Sequence, residues 1–117
     1  MNFINFTNHP LSTWDEAQVQ AAEVYGEIKE LPFPSIEPEI GEAEIAALAD
    51  MVVEKILAMN PAAVLCQGEF TLSYAVITRL KKHGIKVLAA SSARMVDVTD
   101  DGKKIVRFHF ERFREYV

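Results

Sequence analysis

At 117 residues with 50% hydrophobic content, the chain is sized for one domain with a core of its own. A formal net charge of −5 excludes a broad basic surface for duplex DNA or RNA, yet leaves room for a small anionic ligand held by local donors. The single cysteine, Cys66, excludes an internal disulfide and points to a reducing cytoplasm; no run approaches the ~18 apolar residues of a membrane span, and no signal peptide is visible.

The elements follow in order. Asn2-Phe3-Ile4-Asn5-Phe6 reads as a first strand bound for the middle of a sheet. Thr7-Asn8-His9-Pro10 follows it, with Pro10 biasing His9 towards an extended backbone. Thr13-Trp14-Asp15-Glu16 fits a capping box, and Trp14, Ala17, Ala21 and Val24 recur at helical spacing. Gly26 closes that helix, and Glu27-Ile28-Lys29-Glu30-Leu31 alternates like a half-exposed strand. The three prolines between Pro32 and Pro38 make a stiff loop across one end of the sheet. Gly41 to Met59 is helical, with Ile45, Leu48, Val52, Ile56 and Met59 on one stripe, and Asn60-Pro61 stops it.

Ala62 to Cys66 is a short apolar run that ends abruptly at Gln67-Gly68-Glu69, where a helical pattern begins. Such a corner is a buried parallel strand handing over to a helix. The helix from Phe70 to His83 is expected to bury Phe70, Tyr74, Ile77 and Leu80, with Lys81, Lys82 and His83 suiting its negative end. Ile85 to Ala89 is a fourth strand that opens into Ala90-Ser91-Ser92-Ala93-Arg94. Met95–Thr99 and Lys104–Phe110 then alternate around Asp100-Asp101-Gly102, a strong hairpin signal.

The order βαβαβαβ plus a hairpin predicts an α/β fold: a single three-layer Rossmann-like sandwich over 1–117. Its parallel sheet has strand order 2-1-3-4, with the βαβαβαβ core over 1–90 and a C-terminal β-hairpin over 94–112. Strands one and three are then neighbours, and their exit loops meet at the topological switch point where such sheets bind ligands. Asn8, His9, Gln67, Gly68, Glu69, Thr71, Ser91 and Arg94 are the residues this topology sends to one rim.

Each has a structural role open to it as well. His9 can serve a loop carbonyl, Thr71 or Glu69 can cap the third helix, and Gln67 can satisfy backbone at the strand end. Gly68 permits a tight turn or a close ligand approach. Arg94 suits phosphate, or a surface pair with Asp97 or Asp100. Cys66 reads as a small core residue, and His83 and His109 as solvated. There is no G-x-G-x-x-G, Walker lysine loop, C-x-x-C or H-E-x-x-H, so no dinucleotide, cofactor or metal is expected.

Asn5-Phe6-Thr7-Asn8-His9-Pro10, Tyr25-Gly26-Glu27-Ile28 with Pro32-Phe33-Pro34, Gln67-Gly68-Glu69-Phe70-Thr71 and Phe113-Arg114-Glu115-Tyr116 together resemble small CRISPR-associated Rossmann-like proteins. These are accessory proteins of type III systems, similar to the CARF and ring nuclease group. The resemblance implies a cytoplasmic homodimer that cradles a cyclic oligoadenylate, with some members cleaving it without metal through a 2′,3′-cyclic phosphate. Mapped onto this chain, it implies His9 or Glu69 as acid/base. Asn8, Arg94 and the amides near Gly68 would lie on phosphate, Gln67 and Ser91 on sugar or base, and Thr71 among the ligand contacts. The alternative from the residues alone is a non-catalytic sensor or interaction module.

Overall fold

A computed structural model describes residues 1–117. Its strands are β1 (Asn2–Thr7), β2 (Glu27–Glu30), β3 (Pro61–Gln67), β4 (Lys86–Val98) and β5 (Lys104–Glu115); its helices are α1 (Glu16–Glu23), α2 (Glu42–Ala58) and α3 (Phe70–Lys82). The fold is α/β, built on one five-stranded sheet in the order β2-β1-β3-β4-β5. The first four strands are parallel in the expected 2-1-3-4 order, while β5 runs antiparallel to β4. The sheet is therefore mixed.

Apolar alternation sorts the strands onto two cores. Ile4, Phe6, Val64, Cys66 and Val87 point to one side, where Val52, Val53 and Ile56 of α2 and Leu72, Val76 and Leu80 of α3 cover them. Phe3, Ala63, Leu65 and Leu88 point to the other, where α1 contributes Ala22, with Trp14, Tyr25 and Phe113 packed around it. Strands β1 and β3 carry apolar residues on both faces because both faces are covered. The second core is largely aromatic: Phe3 lies 5.2 Å from Phe113 and 5.8 Å from Tyr25, and Phe110 lies 4.8 Å from Phe113, centroid to centroid.

Three expectations need correction. The segment Ser91 to Arg94 is not a loop but the middle of a 13-residue strand, so β4 and the first arm of the hairpin are continuous. Pairing with β5 overrides the loop tendency of two serines. Helix α1 is capped by Asp15, whose carboxylate accepts from the Gln18 N–H, while Leu11–Thr13 forms a separate 3₁₀ turn. Helix α3 presents a different face from the one expected: Leu72, Ala75, Val76 and Leu80 are buried, and Phe70 and Tyr74 are 89% and 72% exposed. Phe70 and Tyr74 have the right period but the wrong phase, whereas Ile77 packs against the core and Leu80 is buried, as expected.

The proline-rich segment behaves as expected. Leu31 and Phe33 continue the β2 alignment by donating their N–H groups to the Asn5 and Thr7 carbonyls. Phe33 is thereby laid across the sheet end, 4.7 Å from the Phe6 ring. A Cβ at Gly68 would stand 2.5 Å from that ring, so glycine is demanded here by packing.

Gly68→Ala should therefore cost about 1–3 kcal/mol through overpacking, read as a lower urea midpoint. In a Phe33→Leu background the same change should cost clearly less, since neighbouring substitutions couple; equal costs in both backgrounds would contradict the contact.

Candidate functional site

The site begins where two strands part company. β3 and β4 pair only through Ala63↔Lys86, Val64↔Val87 and Leu65↔Leu88. Beyond Leu88, β4 leaves with β5, and the Gln67 side chain spans the gap by accepting from the Ala90 N–H at 2.8 Å. A cavity of about 560 Å³ opens on the α1 side of this gap. It is lined by Thr7, His9, Gln67 and Leu65 from the central strands and by Trp14, Asp15 and Gln18 from the start of α1. Ala90, Ser92, Phe108 and Phe110 come from β4 and β5. The location is the switch point between β1 and β3, at the carboxyl ends of the strands.

The β1 exit loop is folded back by a buried amide. Asn5, 2% exposed, donates through Nδ2 to the His9 carbonyl at 3.0 Å, and the Trp14 indole N–H donates to the same oxygen at 3.0 Å. The His9 N–H in turn donates to Thr7 Oγ1 at 3.0 Å. These bonds satisfy the turn internally and leave the His9 ring exposed at the cavity wall.

Asp15 holds the opposite wall. Beyond capping α1, its other oxygen accepts from the Phe110 N–H at 3.2 Å. The two-against-one register of β4 and β5 at Ser91/Ser92 leaves Glu111 as the bulged residue, and Asp15 takes the backbone group beside it. The backbone N–H groups of Gln18 and Phe110, followed by the nearby His109, hold the Asp15 carboxyl below its ordinary range. It faces the cavity as an anion.

Adjacent residues at the strand ends face opposite ways. His9 and Gln67 enter this cavity, whereas Asn8 and Glu69 line a second, shallower one of about 350 Å³ with Phe33, Pro34, Ser35 and Ile36. His9 and Glu69 thus share a rim but line separate cavities. Glu69 is the N-cap of α3: its carboxylate accepts from the Leu72 N–H at 2.8 Å and from the Thr71 hydroxyl at 2.7 Å. Those bonds, the Leu72 N–H first, lower its pKa, which makes it a weak base and leaves Thr71 occupied. Ser91 points away from the cavity and accepts from Arg114. Arg94 is exposed, pairs in register with Phe108, and joins none of the ion pairs; Asp97 pairs with Arg107 instead. Burial pushes the Cys66 thiol up to about 12, so it is inert. His83 and His109 are exposed.

Of the residues expected at the rim, the structure brings together His9 and Gln67, with Arg94 one ribbon step outside. Trp14, Asp15, Gln18, Ser92, Phe108 and Phe110 complete the cavity and were not legible as site residues. The one signal for Trp14 was a lone tryptophan beside a helix cap. No three His, Cys, Asp or Glu side chains converge as a metal site. No helix is long and apolar enough to cross a membrane.

Comparison with family models matches residues 1–114 to the family described as "Uncharacterized protein MJ1673 family". The chain belongs to the MJ1673 family. No curated protein matches it. Membership covers both the switch-point loops and the β4–β5 ribbon, so the cavity lies wholly within the span of the family.

If Glu69 is a cap and nothing more, Glu69→Ala should lower the urea midpoint at neutral pH. A carboxyl with a depressed folded-state pKa stabilises fully above its unfolded value and loses that contribution as pH falls through the folded one. The gap between wild type and Glu69→Ala should hold from pH 7 to 5 and close towards pH 3. A gap that widens on acidification would contradict the capping role.

Proposed function

We propose that this chain is a homodimeric, Rossmann-like, CRISPR-associated protein that binds a cyclic oligoadenylate, with an adenine in the cavity between β1, β3, α1 and the ribbon. The observation that carries the reading is the chemistry of the lining. Trp14, Phe108 and Phe110 give aromatic surface, His9, Gln18, Gln67 and Ser92 give polar side chains, and no lysine or arginine enters. At about 560 Å³ the cavity falls within the range of small-molecule sites.

Charge sets the orientation. Two like charges about 4 Å apart near a protein surface repel by about 4 kcal/mol, so the Asp15 carboxylate drives phosphate outward. A neutral base is admitted, and the phosphates fall towards Arg94, exposed on the cavity side of β4. The Gln67 carbonyl is spent on the Ala90 N–H, so its –NH₂ group is held as a donor for the acceptor nitrogens of the base.

Cleavage, in this reading, rests on His9 without Glu69. A ribose 2′-hydroxyl attacks the adjacent phosphorus and passes its proton to His9. The bond to the 5′-oxygen breaks, that oxygen takes a proton from water, and a 2′,3′-cyclic phosphate remains. A sensor that binds without cutting is the second reading, favoured by the absence of a cation at the cavity and by the occupation of Glu69 in a cap.

Trp14 is the chain's only tryptophan, so its fluorescence reports on the cavity directly. Cyclic tetra-adenylate should change that emission saturably, and Phe108→Ala should weaken binding by about 1–3 kcal/mol, roughly 5- to 150-fold. Incubation with a chelator followed by chromatography separates the two modes. Linear products that vanish in His9→Ala, with binding retained, mark the nuclease; an intact ring marks the sensor. No emission change and no thermal shift would overturn both.

A further inference from the structure

The face of the sheet opposite the cavity carries a second arrangement. Val87 faces α3 and Leu88 faces α1, and the alternation continues along β4. Ala89 and Ser91, with their register partners Arg114 and Arg112 of β5, therefore stand on the α3 side. Arg114 donates to the Ser91 hydroxyl. Arg112 donates through Nε to the Phe113 carbonyl at 3.1 Å, and Lys81 of α3 donates to the Tyr116 carbonyl at 2.7 Å. Neutral oxygens orient all three cations, and none of the three joins an ion pair. Glu111, at the bulge, is the one acid of β5 outside an ion pair, since Glu115 holds Lys86. Three cations thus outnumber one acid here, on a chain whose net charge is −5. Farther out the ribbon continues as an arm, with the Arg107–Asp97 pair on the same face.

Helix α3 borders this row with exposed aromatic surface. Phe70, Tyr74, Ile77 and Lys81 follow one another at steps of four, three and four, so they share one stripe. Lys81 reaches β5, and Ile77 packs on the same core as Tyr116, which turns the stripe towards the ribbon. Phe70 and Tyr74 are 89% and 72% exposed, and the acid beside them, Glu69, is turned onto the α3 amides. The two rows run the same way. As the crossover between the parallel strands β3 and β4, α3 runs against β4, and β5 runs against β4 as well. Phe70, Tyr74 and Lys81 therefore descend beside Arg112, Arg114 and Tyr116 in that order. Their steps also agree: one helical turn of four residues rises about 6 Å, and alternate residues of a strand lie about 7 Å apart.

We infer that the trough between these rows binds a single strand of nucleic acid. Its phosphates lie on Arg112, Arg114 and Lys81, and its unpaired bases stack on Phe70 and Tyr74. Charge complementarity selects a polyanion, and the guanidinium groups keep free N–H donors beyond the bonds that orient them. The rings select among polyanions. An exposed aromatic face offers stacking to an unpaired base, and neither a paired base nor a carboxylate can use it. This site lies on the other side of the sheet from the cavity and does not depend on the ligand proposed there.

Fluorescence anisotropy with labelled oligouridylate and oligothymidylate of about 12 nucleotides is the test, and binding of either supports the inference. Three phosphate contacts predict a log–log salt slope of about −2. Arg112→Ala should make that slope shallower by about 0.7, while Lys55→Ala, an exposed cation on α2, should not change it. Phe70→Ala should weaken binding about 5- to 150-fold with the slope kept. Thermal unfolding should be unchanged in all three variants. No binding at about 100 μM protein in low salt overturns the inference. Equal affinity for a duplex, or for polyglutamate of the same charge, overturns it as well, because the rings would then have no part. An unchanged slope in Arg112→Ala removes the phosphate row. Binding lost in Phe108→Ala would place the strand in the cavity and overturn the trough.

Discussion

The constraint on which the molecule turns is the parting of β3 and β4 after Leu88. A strand cannot follow two partners that diverge, and β4 follows β5 for ten residues beyond the point where it leaves the parallel sheet. The central sheet is left with a gap on its α1 side, and the unpaired backbone at Ala90 must find another acceptor. Gln67 provides it. The same departure creates the cavity, carries Phe108 and Phe110 over it, and projects the arm. Helix α1 has only Ala22 fully buried, too little to place an eight-residue helix by hydrophobic packing. It is fixed at its start by Asp15, which ties the helix to the β5 bulge, and by Trp14, which ties it to the His9 carbonyl.

Much of this frame was readable in advance because its causes are local. Phe3, Ile4 and Phe6 mark a strand covered on both faces. Asp100-Asp101-Gly102 marks a turn that needs a positive φ, and Gly102 has φ +83. The order of the parallel strands followed from short right-handed crossovers. The α3 face was read correctly at Ile77 and Leu80 and missed at Phe70 and Tyr74, because period alone does not fix phase. Ser91 to Arg94 was missed because serine and alanine run against strand propensity, while the pairing that overrides it comes from β5, in Phe108–Arg112.

The site was legible as a place more than as a list. Topology brought the right loops together, but the alternation of side chains at a strand end split them between two cavities. His9 and Gln67 went to one and Asn8 and Glu69 to the other, with Phe33 over Gly68 between the segments that carry them. Glu69 looked catalytic for the reason that it is structural: a carboxylate at the start of a helix finds its own amides first. The lining that distinguishes the larger cavity, an aromatic set around a fixed carboxylate, needed β5 and α1 in place to be seen. In the proposed reading, that lining admits a flat neutral ring and sends its charge outward.

The most direct measurement is the proton–nitrogen correlation spectrum of the labelled protein titrated with cyclic tetra-adenylate. The account predicts that the Trp14 indole, the Gln67 side-chain amide and the Ala90 and Phe110 backbone amides shift together and saturate at one concentration. Shifts confined to Asn8, Ser35 and Glu69, or no shift anywhere, would contradict it.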